Sequence, residues 1–363
     1  MKLVFCGDIM PGGVLPYQDE YITPKLKNIL SSTDYRVGTL ECAIGDNLPY
    51  DETKMSLPHG KNIVYARECD FQKVLEININ LVTLANNHIY DLGKEGLANT
   101  IRLLDENGIK HCGAGMNIEE ASRPCIVNLD GKRFAFIGCC IEGLPPITIQ
   151  RATEKTPGIY QTDEQGICDA ITKTKKNADY VVVLPHWGVE YSYIPPQRCA
   201  ELAKKMIIVG ADAVIGSHTH IMNPKDSYKC KPIYYSLGNF LFPDFCLEVP
   251  RPITYPQTRE EVYSLPIVKN YPKSIATPVR VVWGEASRRG VVALLSFDKK
   301  IEFKTIFTYL REDNVLSCLT GVNDLKERLR MAWYGGCYRS NLMPFINRVV
   351  NSRYNVFRKA VRF

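Results

Sequence analysis

Short apolar runs recur along the chain, with helix-like stretches between them. Leu3–Cys6, Arg36–Leu40, Asn80–Leu84, Arg133–Gly138, Tyr180–Leu184, Ala213–Ile215 and Pro232–Tyr235 each read as a strand. Between Asn86 and Cys112, the residues Leu97, Ile101 and Leu104 stand at helical spacing with charges between them, and Asn107-Gly108 is a stop signal. A strand is expected next. This alternation predicts an α/β fold with a layered sheet.

Two turns predict antiparallel additions to it. Asp130-Gly131 lies between Ile126–Leu129 and Arg133–Ile137, and Asp298-Lys299 between Val291–Phe297 and Ile301–Phe307; both read as β-hairpins, the first with the stronger turn chemistry. Residues 243–290 hold seven of the 22 prolines, among them Pro250, Pro252, Pro256 and Pro266, so no regular helix or central strand is expected there. The segment reads as a long insertion loop, either a lid over a site or a passive surface excursion.

Composition narrows the class. A chain of 363 residues, 45% hydrophobic and 23% charged, can bury one large core or two moderate ones, which excludes a disordered or collagen-like chain. No run of eighteen apolar residues occurs, and Asp8 arrives too early for a signal peptide, so the expectation is a soluble, cytoplasmic protein. Thirteen scattered cysteines without a C-x-x-C spacing read as reduced, mostly buried thiols. The net charge of +6 belongs to the end of the chain, because Lys326–Phe363 holds nine basic residues and one acid.

Four of the six histidines fall in three segments that look like strand ends: Leu84-Ala85-Asn86-Asn87-His88, Leu184-Pro185-His186-Trp187-Gly188 and Ile215-Gly216-Ser217-His218-Thr219-His220. In α/β folds, ligands gather beyond the carboxyl ends of strands. Asp8 and Glu41 end the first two strands, and an acid there is costly unless a cation, an arginine or hydrogen bonds compensate it. The candidate ligand set is Asp8, Glu41, Asn87, His186, His218 and His220. Its oxygen and imidazole donors without thiolate suit one or two divalent ions, Mn, Fe or Zn, better than a Cys-rich zinc site or a calcium cage. Gly113-Ala114-Gly115 does not complete a dinucleotide fingerprint, and no phosphate loop is present.

The motifs Gly7-Asp8-Ile9-Met10, Leu40-Glu41, Ala85-Asn86-Asn87-His88-Ile89-Tyr90-Asp91, His186-Trp187-Gly188-Val189-Glu190-Tyr191, Gly216-Ser217-His218-Thr219-His220 and Ser236-Leu237-Gly238-Asn239-Phe240 occur in this order. Together they resemble the bacterial CapA-type capsule and poly-γ-glutamate biosynthesis family, which is similar to the calcineurin-like metallophosphoesterases. The resemblance spans about residues 1 to 245.

It implies a four-layer α/β/β/α sandwich. The expected division is one domain over residues 1–310, with the Pro-rich insertion at 243–290 inside it, and a basic, aromatic-rich helical extension at 311–363; neither the insertion nor the extension carries a motif of the family. The resemblance also implies a two-metal centre. Glu41 then resembles the bridging carboxylate, Asn87, His186 and His218 the ligands of one metal, and Asp8 and His220 those of the other. The superfamily's first motif offers Asp-x-His, but here Met10 stands two residues after Asp8.

Two metals with a shared water imply phosphoester hydrolysis. His88 is the candidate general acid, and Asp91 the group that fixes its tautomer; helix capping is the plainer role for His88. Trp187, Glu190 and Tyr191 are candidate substrate-pocket residues, Glu190 also as an acceptor for a ligand histidine, with core packing the plainer role for Trp187 and Tyr191; Ser236 and Asn239 are candidate substrate contacts. The expected function is a metal-dependent hydrolase of capsule, exopolysaccharide or poly-γ-glutamate biosynthesis, acting on a phosphorylated or acidic polymer or precursor. A non-catalytic component of the same pathway and amide hydrolysis on a γ-glutamyl polymer remain open. The basic tail, from Arg328 to Arg362 with interleaved aromatics, suits a peripheral membrane or polymer contact rather than nucleic acid.

Overall fold

The computed structural model describes residues 1–48, 63–144, 149–247, 253–269 and 278–340. Two large sheets dominate a mixed α/β fold. The first runs in the order Leu316–Cys318, Ile301–Leu310, Arg289–Phe297, Lys2–Ile9, Tyr35–Leu40, Leu81–Thr83 and Lys110–Cys112, with Asn239–Leu241 also paired to Lys2–Ile9. The second runs Gln161–Thr162, Lys132–Ile141, Tyr180–His186, Ala213–Ile215, Lys231–Tyr234 and Lys225–Tyr228, with Cys125–Leu129 added on Lys132–Ile141.

Successive side chains of a strand point to opposite faces, and the cores sort accordingly. Leu3 and Phe5 pack with Phe134, Phe136, Val182 and Leu184 of the second sheet. Val4 and Cys6, one residue out of step, join Leu26 and Leu30 of helix Pro24–Ser31 and Leu97 and Leu104 of helix Gly93–Glu106. In the second sheet Ala135, Ile137, Val181 and Val183 pack on Ile167 and Ile171 of helix Glu164–Lys175 and on Leu202 and Met206 of helix Gln197–Ile208. Strands covered on both faces have no solvent side, which is why they read as unbroken apolar runs.

Parallel pairing of Lys2–Ile9, Tyr35–Leu40 and Leu81–Thr83 brings their carboxyl ends to one edge. Lys132–Ile141, Tyr180–His186 and Ala213–Ile215 do the same in the second sheet. Both predicted hairpins form. Asp130 and Gly131 take φ of 52° and 72°, the left-handed pair that a two-residue turn needs. The second hairpin pairs Phe297 with Ile301.

Two expectations need correcting. The Pro-rich segment is not a plain loop, since its described part holds a small sheet of Phe245–Leu247, Ile253–Thr254, Ile267–Lys269 and Val279–Val282. Helix Arg259–Ser264 lies within it, its start capped by the Thr258 side chain. Pro256 and Pro266 fall in the connections, so they shorten the strands without abolishing them. The boundary at 311 also moves. Leu316–Cys318 pairs with Ile301–Leu310 in the first sheet, and the terminal helix runs Gly321–Arg339. Of the basic tail, Arg348, Arg353, Arg358, Lys359 and Arg362 lie outside the described residues.

Close backbone contact sets the first strand against the turn before Asn239–Leu241. Asp8 donates its N–H to the Gly238 carbonyl at 3.1 Å, and a Cβ on Gly7 would lie 1.8 Å from that oxygen. Gly7→Ala is therefore expected to cost about 3 kcal/mol, read as a lowered urea midpoint. Gly131→Ala, where a Cβ meets nothing within 4 Å, should cost only the left-handed strain of about 1 kcal/mol.

Candidate metal centre

The first sheet delivers two acids side by side. Asp8 is the penultimate residue of its strand and pairs with Thr39 on one side and Asn239 on the other. Glu41 directly follows Tyr35–Leu40, and its N–H donates to the Ile9 carbonyl at 2.9 Å. Asn86 then ties the next loop to them: its Nδ2 donates to the Leu40 carbonyl at 2.7 Å, while its Oδ1 accepts from the N–H groups of His88 and Ile89 at 3.0 and 2.9 Å. Asn87 and His88 are held in place by that tie.

The second sheet delivers three imidazoles. His186 ends its strand, and the Ser217 N–H donates to the Pro185 carbonyl at 3.1 Å, which fixes the turn carrying His218 and His220. Those two histidines have φ of 101° and 54°. Non-glycine residues enter the left-handed region at a cost of about 1 kcal/mol or more, so the fold holds both imidazoles in place against backbone preference.

Glu41, His186 and His218 place ligand atoms within 4.8 Å of one another, and so do Asp8, Glu41 and His220. Glu41 is common to both groups. Its Oε1 lies 3.4 Å from His186 Nε2, and its Oε2 3.8 Å from His220 Nδ1, which is also 3.8 Å from Asp8 Oδ2. Asn87 Oδ1 is 2.7 Å and His218 Nδ1 is 3.1 Å from His186 Nε2. On its far side His186 Nδ1 meets Ser217 Oγ at 2.9 Å, a partner that leaves Nε2 to face the cluster.

Asp8 and Glu41 are 0% exposed, and none of their four carboxylate oxygens has a hydrogen-bond partner. Burying such a charge is prohibitive unless something compensates it. Three buried imidazoles, one amide and two acids converge here without a thiolate, a donor set that fits borderline divalent cations.

The electrostatics agree. Burial, reinforced by the neighbouring Glu41, pushes the Asp8 carboxyl well above its usual range. Burial works against Glu41 too, but His220 and His186 beside it hold it below the usual carboxylate range. Burial lowers His186 and drives His218 further down, which favours neutral rings with a lone pair to offer.

His88 and Asp91 meet as expected, Nδ1 to Oδ2 at 2.6 Å, and Asp91 Oδ2 also accepts the Val64 N–H at 2.8 Å. Four assignments are corrected. Trp187 is buried in the helix-side core with Cys199 and Ala203, its Nε1 donating to the Tyr235 carbonyl at 2.9 Å; it is a core residue, not a pocket wall. Strand alternation turns it away from the face that His186 uses. Glu190 is half-buried, and the acceptor role foreseen for it falls to Ser217 at His186. Ser236 is buried, and its Oγ accepts the Gly238 N–H at 3.2 Å, so it secures the turn. Asn239 does not face outward to a substrate: its Oδ1 lies 3.0 Å from His220 Nδ1 and its Nδ2 donates to the Ser287 carbonyl at 3.1 Å.

Several neighbours escaped the sequence reading. Ser217 and Asn86 stood inside the quoted motifs, each beside a candidate ligand. Trp283, from the Pro-rich segment, and Phe242 ring His220 at centroid distances of 5.2 and 5.4 Å, and Tyr191, which the sequence offers for the pocket, stands 5.9 Å from it. Met10 is buried with its Sδ accepting the Gly12 N–H at 3.2 Å.

An uncompensated acid should destabilise the metal-free chain. Because its folded pKa is raised, Asp8 contributes stability that is full below its ordinary pKa of 3.8 and is lost as pH rises above it. In chelator-treated protein, Asp8→Asn is expected to raise the melting temperature at pH 7 and to flatten its decline with pH. A lower melting temperature at pH 7 than wild type would contradict the cost assigned to this carboxylate.

The profile of the bacterial capsule synthesis protein family, PGA_cap, matches residues 2–244. The chain is similar to the capsule biosynthesis protein CapA of Bacillus anthracis, 32% identical over 252 residues, 67% of this chain and 60% of that protein. It is similar also to the PGA biosynthesis protein CapA of Bacillus subtilis, 30% identical over 245 residues, 66% of this chain and 62% of that one. The chain thus spans about three fifths of the length of these curated relatives. Among solved structures, a 5'-nucleotidase from Candida albicans aligns over 94% of this chain and 57% of its own at a TM-score of 0.40 and 10% identity.

Proposed function

The chain belongs to the family of bacterial capsule synthesis proteins, and from that premise we propose that it is a metal-dependent phosphoester hydrolase. Its substrate is a phosphorylated intermediate or acidic polymer of capsule, exopolysaccharide or poly-γ-glutamate biosynthesis. The observation that carries this reading is the pair of buried, unpartnered carboxylates among three imidazoles. The three cores, one between the sheets and one under the helices of each, support the four-layer α/β/β/α arrangement.

In this reading Glu41, Asn87, His186 and His218 would hold one divalent ion, Mn, Fe or Zn, and Asp8, Glu41 and His220 a second. Bound there, such ions polarise a phosphoryl oxygen and lower the pKa of a water. The chain's own residues do the rest. Asp91 accepts a hydrogen bond from His88 Nδ1 and so keeps the other ring nitrogen for the proton that a leaving oxygen requires. Ser217 orients His186, and Trp283, Phe242 and Tyr191 keep water from His220.

Met10 favours a second reading, a non-catalytic metal-binding or polymer-handling component, because its thioether offers no imidazole and is engaged with Gly12. Release of phosphate from an aryl phosphate with added Mn²⁺ separates the two. We expect turnover that falls at least about 100-fold in His186→Ala and about 10²–10⁴-fold in His88→Ala. Equal release by wild type and His186→Ala would remove the hydrolase reading, and metal binding without turnover would favour the second.

The protein would work on the cytoplasmic side, where its thirteen unpaired cysteines stay reduced. Among the described residues no helix is long and apolar enough to cross a membrane. Helix Gly321–Arg339 instead exposes Val322, Leu325, Leu329 and Trp333, at 67%, 54%, 62% and 58%, along one stripe of three- and four-residue steps. Residues 341–363 add five basic side chains and no acid. An apolar stripe joined to cations suits the surface of an anionic bilayer. Flotation with phosphatidylglycerol vesicles is expected for the full chain, and the double variant Leu329→Glu, Trp333→Glu should lose most of it. Equal flotation would exclude this contact.

A further inference from the structure

We infer that Asn239 is itself a ligand of the second site, through its Oδ1 beside His220 Nδ1. This rests on the metal-centre reading above. The register is the first argument. Asn239 is the Cα partner of Asp8 across two parallel strands, so both side chains leave the same face of the sheet at the same level. The amide is also oriented, because Nδ2 donates to the Ser287 carbonyl at 3.1 Å and Oδ1 is thereby turned to His220.

The decisive geometry is the 3.0 Å between Asn239 Oδ1 and His220 Nδ1, the ring nitrogen that stands 3.8 Å from both Asp8 Oδ2 and Glu41 Oε2. Without an ion, Nδ1–H donates to Oδ1. When Nδ1 turns its lone pair to a cation, two acceptors at this separation repel unless the cation serves both. Neighbouring ligands with bonds of about 2.1 Å stand about 3 Å apart around an octahedral ion, so the pair needs no rearrangement to do so. Asn239 is buried, and the Asp8 oxygens beside it are without partners.

The two sites then differ in hardness. Glu41, Asn87, His186 and His218 offer two oxygens and two nitrogens, whereas Asp8, Glu41, Asn239 and His220 offer three oxygens and one nitrogen. Oxygen-rich sets shift preference from Zn²⁺ toward Mn²⁺, so the second site should be the Mn²⁺-selective one.

Mn²⁺ titration of the full chain, followed by the paramagnetic resonance signal of free Mn²⁺, tests this without activity. Wild type should take up two ions. Asn239→Ala should keep the first and weaken the second about tenfold or more. Asn239→Asp should keep both and change the visible absorption of the second ion after Co²⁺ loading. If Asn239 merely positions His220, the aspartate variant retains an acceptor and that spectrum stays unchanged. An unchanged spectrum, or an alanine variant with wild-type uptake, overturns the proposal and leaves the metal centre standing. A wild-type chain that takes up no ion overturns the metal centre itself.

Discussion

The structure turns on two carboxylates buried where the protein gives them nothing to bond. Asp8 and Glu41 sit at the ends of adjacent parallel strands, locked together by the Glu41 N–H on Ile9, and neither backbone nor side chain satisfies their oxygens. Everything near them is arranged around that deficit. Two histidines hold left-handed backbone, His186 is turned by Ser217, and Asn86 lashes a loop to the Glu41 strand. A fold built only for stability would have placed apolar groups here, because a well-packed hydrophobic pair outperforms an unpaired buried charge.

The same constraint explains the unequal halves of the centre. On one side Glu41 meets two imidazoles and an amide, all within short reach of His186 Nε2. On the other, Asp8 and His220 stand farther apart, and the space around His220 is closed largely by aromatic rings, with the Asn239 amide on the remaining side. One of those rings, Trp283, belongs to the Pro-rich segment. That segment is therefore more than a passive excursion, since a residue following its strand Val279–Val282 packs against a site histidine.

Much of this was legible beforehand, for physical reasons. Strands covered on both faces carry continuous apolar runs, so Lys2–Ile9, Tyr35–Leu40 and Tyr180–His186 announced themselves, and polar residues closing such runs stood out. The small insertion sheet did not, because strands of two to four residues between prolines have no periodicity to read. Trp187 misled for a different reason: adjacency to His186 in sequence means the opposite face in a strand. Glu190 follows Gly188, whose φ of 102° bends the chain in a way no spacing rule anticipates. Ser217 acts through the orientation of His186, which only coordinates reveal.

The place of the first strand has a consequence for synthesis. Lys2–Ile9 lies between Tyr35–Leu40 and Arg289–Phe297. During translation one of its edges is matched within a few dozen residues, while the other waits for most of the polypeptide to leave the ribosome. An open, apolar edge that persists so long invites pairing with other nascent chains. Folding of this protein should accordingly be slow and dependent on protection of that first strand until the last long-range seam is sewn.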